Sequence, residues 1–125
     1  MSENLLDVQR PYWTQGEYNE RWPLNKHSNA YAASLVVKSG PGKLYGFTVY
    51  NSGAAQFVLV FDAATLPANG SVPAVVLTAA ATANLGASWG DTGRSFDVGC
   101  VIVNSSTGPT LTIGAADCFI DAQYV

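Results

Sequence analysis

The chain has 125 residues, of which 48% are hydrophobic and only 12% charged, with a formal net charge of -3. That length holds one domain with a core of its own, and the hydrophobic share excludes a disordered chain. Six Lys and Arg spread along the sequence exclude the basic footprint of a nucleic-acid binder.

Residues 1–30 are polar and rich in large aromatics, namely Tyr12, Trp13, Tyr18 and Trp22. They show neither helical periodicity nor strand alternation, and Pro11 and Pro23 break any helix. Beyond one helical turn near Glu3–Val8, the segment reads as an extended N-terminal arm. Its aromatics need a surface to lie against: the chain's own domain, a neighbouring copy or another protein. The opening MSENLLDVQR lacks the basic and apolar regions of a secretory signal, so the expectation is assembly in a cytoplasm. No apolar run approaches the ~18–20 residues that span a bilayer, so no membrane partner is expected.

From residue 31 to 125 the sequence reads as all-β. Short apolar runs rich in β-branched and aromatic residues recur at Ser34–Lys38, Lys43–Tyr50, Gln56–Asp62, Ala74–Thr78, Ala87–Trp89, Arg94–Val98, Cys100–Asn104, Thr110–Ile113 and Cys118–Val125. Turn chemistry separates them: Ser39-Gly40-Pro41-Gly42, Asn51-Ser52-Gly53, Pro67 to Pro73, Asp91-Thr92-Gly93 and Ser105 to Pro109. The Ala-rich stretch Thr78–Ala83 reads as a loop or one turn. In Gln56–Asp62, Phe57, Leu59 and Phe61 face one way and Val58 and Val60 the other. A strand apolar on both sides is covered on both sides, the second cover being another subunit or the N-terminal arm, so Val58 and Val60 are candidates for a contact with another subunit. The pattern predicts an antiparallel β-sandwich, with a jelly roll as first choice.

Charge is concentrated before residue 44. Residues 44–125 carry only Asp62, Asp91, Arg94, Asp97, Asp117 and Asp121, few for a domain that stays alone in water. Much of this surface is expected to be covered by partners, including copies of the chain.

The search for catalytic chemistry is largely empty, and neither an enzyme nor a cofactor is expected. His27 is the single histidine, and no nucleophile elbow, phosphate loop or dinucleotide fingerprint is present. Asp91-Thr92-Gly93 matches the aspartic-protease triplet, yet no apolar strand runs directly into it, and a turn explains it. Asp117 and Asp121 are four apart and could line one face, as a carboxylate pair would; edge-strand charges are the simpler reading. Cys100 and Cys118 have no metal-ligand spacing and are expected reduced and packed. Two glycosylation sequons, at Asn69 and Asn104, are expected to be idle. Trp89, Tyr45 and Tyr50 are candidates for stacking on sugar rings.

Several segments together resemble small β-sandwich structural proteins of tailed bacteriophages. They are Lys38–Asn51 (KSGPGKLYGFTVYN), Phe57–Ala63 (FVLVFDA), Gly93–Ser106 (GRSFDVGCVIVNSS), Thr110–Gly114 and Ile120–Val125. The likeness covers about residues 31–125 and leaves the arm out. It implies a virion protein, in first place a capsid decoration (cement) protein bound to the major capsid protein or other virion proteins. The family also implies a homo-oligomer, a trimer before a dimer. A head-fibre, neck or tail-attached adaptor is the alternative, and a carbohydrate-binding module for host attachment the second.

Overall fold

The computed structural model describes residues 23–125. Nine strands run through them: β1 (Leu24–His27), β2 (Ser34–Lys38), β3 (Gly42–Asn51), β4 (Gln56–Phe61), β5 (Val75–Ala79), β6 (Ala83–Ser88), β7 (Arg94–Phe96), β8 (Cys100–Ser105) and β9 (Cys118–Tyr124). No helix occurs among the described residues. All pairings are antiparallel and form two sheets, in the orders β1-β9-β3-β6 and β2-β8-β4-β5. Short β7 pairs with the start of β3, beyond the end of β6. Contacts join β1 to β2 at one side of the stack and β5 to β6 at the other.

Alternation explains the β3 sheet. Along β3, Leu44, Phe47 and Val49 point into the core, and Thr48 faces water. Along β6 the inward Ala83, Leu85 and Ala87 alternate with the exposed Asn84, Gly86 and Ser88. A break of register between Leu44 and Gly46 places a bulge at Tyr45.

Three elements differ from the sequence reading. Residues 24–27, expected within the arm, form β1, paired with β9 from Leu24↔Tyr124 to His27↔Asp121. The strand expected at Ala87–Trp89 begins earlier, at Ala83, and the turn before it shrinks to Ala80–Thr82. Small inward alanines satisfy pairing with β3, and pairing overrides their helix propensity. Thr110–Ile113 is not a strand; only Ile113 makes a bridge, to Ser105.

The main core lies between the sheets. Val37, Phe47, Val49, Ile102 and Ile120 are among its buried members, and Trp89 packs on its edge with its ring 6.0 Å from that of Phe47. Val58 and Val60 belong to this core, with 1% and 3% of their surface exposed. They present nothing to a neighbouring subunit, so their assignment as a contact strand is corrected. The inter-sheet core claims them first.

The opposite face of β4 is also covered by the chain itself. Leu59 and Phe61, with Val101 and Val103 of β8, form a second buried cluster closed by Leu111, with Ile113 packed against it. Two long connections, 62–74 and 106–117, make this lid and are tied to each other. The Gly70 N–H donates to the Leu111 carbonyl at 2.7 Å, the Leu111 N–H to the Ser71 carbonyl at 2.9 Å, and the Ile113 N–H to the Asn69 Oδ1 at 2.9 Å. Leu111→Ala empties the centre of the lid and should lower the unfolding free energy, read from denaturant titration, by about 2–5 kcal/mol. A cost below about 1 kcal/mol would mean that the lid does not stay down.

Candidate functional site

Tyr12, Trp13, Tyr18 and Trp22 lie outside the described residues. The remaining candidates are dispersed. Asp117 sits in the turn before β9, its carbonyl accepting from the Ser52 N–H and hydroxyl. Asp121 is four residues on, about 13 Å along extended chain, too far for a carboxylate pair in one cleft. Asp91-Thr92-Gly93 forms the turn between β6 and β7, with positive φ at Gly90 and Gly93. Asn104 is buried, donating its Nδ2 to the Ala115 carbonyl at 2.8 Å, so its sequon is closed in the fold. Among the described residues no three His, Cys, Asp or Glu side chains gather as metal ligands.

Asp62 has a structural role. Its carboxylate accepts the backbone N–H groups of Asp97 (3.0 Å), Val98 (2.8 Å) and Gly99 (3.2 Å). It thereby fastens the end of β4 to the corner between β7 and β8. The Ala63 N–H donates back to the Gly99 carbonyl at 3.1 Å. Glycine is required at 99, because a side-chain carbon there would overlap the Ala63 carbonyl and lie 2.7 Å from that of Lys38. The N–H groups of Asp97 and Val98 hold the Asp62 pKa below its usual value; the Gly99 N–H and the Arg94 charge add to this, and a slight loss of hydration at this exposed group opposes it.

Both cysteines are free and buried. Burial, and then the charge of Asp62, pushes the Cys100 thiol up to about 12. Burial and Asp117 push Cys118 up to about 11. Neither is a nucleophile near neutral pH. Cys100 pairs with Lys38 at the end of β2, whereas Cys118 pairs with Ala32 just before its start. That places them roughly 20 Å apart, at about 3.3 Å per residue, beyond disulfide reach. They lie in different sheets, on β8 and β9.

A small, half-open hollow near Asp62, about 50 Å³ between Leu44, Phe96 and Cys100, suits one or two waters rather than a ligand. The larger concavity lies on the outer face of the β3 sheet. Two adjoining depressions of about 520 and 560 Å³ share Thr48. Register sets their floor in rows across the strands: Asn25–Gln123–Gly46–Ser88, then His27–Asp121–Thr48–Gly86, then Phe119–Tyr50–Asn84. Short side chains in the middle make a shallow trough. One end is bounded by Tyr45, Asp91 and Pro23, the other by Tyr50, Phe119 and His27. Phe119 is braced by Tyr31, ring centroids 4.3 Å apart.

No family model, no curated protein and no solved structure matches the chain.

Of the three rings considered for sugar stacking, Tyr45 and Tyr50 line this trough. Trp89 does not, because it packs on the core. Asn25, Asn84, Thr48, Phe119 and Gln123 were not singled out from sequence. Their period-two placement was visible, but only the strand register puts them in common rows. Amides, hydroxyls and ring faces in this arrangement can hold a flat, polar, hydroxyl-bearing ligand.

The Asp62 bonds give a pH signature. Its folded pKa lies below the usual 3.8. The stability it adds is therefore present above that value and lost as pH falls through the lower, folded value. Asp62→Asn should lower the melting temperature at pH 7, and the gap from wild type should narrow as the pH falls below 3.8 and through the lower, folded value. A gap that is independent of pH would show that the carboxylate charge is not what holds the corner.

Proposed function

We propose that this chain is a bacteriophage virion structural protein, a capsid decoration protein that binds and stabilises the head shell. The observation that carries the reading is where the resemblance falls. Lys38–Asn51, Phe57–Ala63, Gly93–Ser106 and Ile120–Val125 supply β3, β4, β8 and β9. These are the central strands of the two sheets, so the likeness concerns the scaffold and not one loop. The strand order supports a jelly roll. The pairs β1/β9, β2/β8, β3/β6 and β4/β5 are those of one long hairpin wrapped into two sheets. A charge-poor sandwich suits a protein that works covered by a shell and by its own copies.

In this reading residues 1–30 begin with an extended arm whose Tyr12, Trp13, Tyr18 and Trp22 serve as anchors on the capsid or a neighbouring copy. The protein acts as a homo-oligomer, a trimer at three-fold lattice positions or a dimer at two-fold ones. It is assembled in the host cytoplasm, has no catalytic role and ends in the virion. Quantitative protein staining of purified virions tests the assignment. A decoration protein is present in on the order of hundreds of copies per particle, whereas about a dozen or fewer would indicate a head-fibre, neck or tail adaptor. Absence from the particle would overturn the virion reading.

The trough favours a second reading, a carbohydrate-binding module for host attachment, because its polar rows end in tyrosine and phenylalanine rings. A glycan-array signal that falls about tenfold in affinity in Tyr50→Ala, with melting unchanged, would support it. Absence of any signal would leave the trough without this role.

A further inference from the structure

Edge strands carry unpaired N–H and C=O groups, and folded proteins blunt them with lysine, proline, bulges or brevity. One side of this sandwich follows that rule. β1 has four residues, follows Pro23 and carries Lys26. β2 ends in Lys38 after a bulge. On the other side β7, which pairs with the start of β3 beyond the end of β6, has three residues and begins with Arg94.

The two longer strands on that side, β5 and β6, use none of these devices. β5 and β6 are the outermost strands of their sheets there. From Ala63 through Gly90 the chain has no charged side chain. Neither β5 nor β6 contains a proline, and both pair with their neighbours without a break of register.

The ladder identifies the free groups on β6. The Trp89 N–H donates to the Tyr45 carbonyl at 2.9 Å. Antiparallel pairs alternate between bonded and non-bonded, so Ala87, Leu85 and Ala83 bond β3 as Trp89 does. The N–H and C=O groups of Asn84, Gly86 and Ser88 therefore point to the outer edge, where no described residue bonds them. These three residues are symmetric about Gly86.

We propose that β6 pairs antiparallel with β6 of a second copy, about a two-fold axis that passes midway between the two Gly86 residues. Gly86 then faces Gly86 of the partner subunit, and Asn84 faces Ser88 of the partner subunit. Every freed backbone group of the three residues finds a partner. A second copy is the occupant that fits, because this short register is complementary to itself and neither side brings a charge that must be desolvated. The axis runs normal to the sheets, so it also carries β5 toward β5 of the partner subunit. Area makes that second contact necessary. The edge of β6 is about 20 Å long and one sheet about 10 Å deep, so β6 alone projects roughly 200 Å² per copy; adding β5 doubles this, still below the about 800 Å² per partner of a standard interface, which makes the dimer a weak, concentration-dependent one. The pairing is two-fold and gives a dimer, and it does not depend on a virion role.

The test uses the full chain. Sedimentation velocity across micromolar concentrations should show a dimer. Gly86→Pro removes the outward N–H at the centre, in duplicate, without touching a bond to β3, and space around Gly86 is open. It should raise the dimer dissociation constant at least about tenfold while the monomer melts as before. In wild type, amide hydrogen exchange at Asn84, Gly86 and Ser88 should be slow at high concentration and quicken on dilution. This second measurement decides the matter if Gly86→Pro does not fold. A chain that stays monomeric, a dimer indifferent to a folded Gly86→Pro, or exchange that is independent of concentration would each overturn the proposal. Slow exchange independent of concentration would point instead to another part of the same chain on this edge.

Discussion

β4 and β8 are apolar on both faces, and most of the molecule follows from that. Leu59, Phe61, Val101 and Val103 point away from the core between the sheets yet are as buried as the side chains within it. Leaving them in water would forfeit about 1.5–3 kcal/mol each. The chain therefore spends two long connections, 62–74 and 106–117, on covering them. These connections have almost no strand of their own, and side chains and short backbone exchanges hold them down. Asn69 supplies one such bond to Ile113, and the Ser105 hydroxyl accepts from the Thr112 N–H at 3.0 Å.

The Asp62 corner serves the same arrangement. It lies where β4 leaves its sheet and the lid begins, and it fixes that exit to the turn entering β8. Two sequence pieces that look unrelated, Phe61-Asp62-Ala63 and Asp97-Val98-Gly99, are the two halves of one contact. The β3 sheet has the opposite character. Its inner face is apolar and its outer face polar, so it needs no lid and leaves a surface free for recognition. With one sheet closed by its own loops, two surfaces stay uncovered among the described residues: the trough over β9, β3 and β6, and the edge formed by β5 and β6.

The central strands were legible because alternation or continuous apolarity marks them, and Gly, Pro and Asn mark their ends. The two faces of β4 were also legible, but not what lay against each. Both faces are aliphatic or aromatic, so the sequence has no polar side from which to tell core from cover. Val58 and Val60 were therefore offered to a neighbour, although they fill the centre of the domain. β1 was hidden for another reason. Leu24–His27 is exposed along its whole length and shows no hydrophobic pattern; only pairing with β9 makes it a strand. The trough was beyond the sequence, because its rows arise from three separate registers.

The central claim is that the lid over β4 and β8 belongs to the native fold of the isolated chain, not to a cover that a partner supplies. Native-state amide hydrogen exchange tests it most directly. The N–H groups of Gly70 and Leu111, which tie the two connections together, should be protected close to the level of Val101, Ile102 and Val103 in β8. Exchange of Gly70 and Leu111 at nearly unprotected rates, while β8 stays at the global limit, would contradict it.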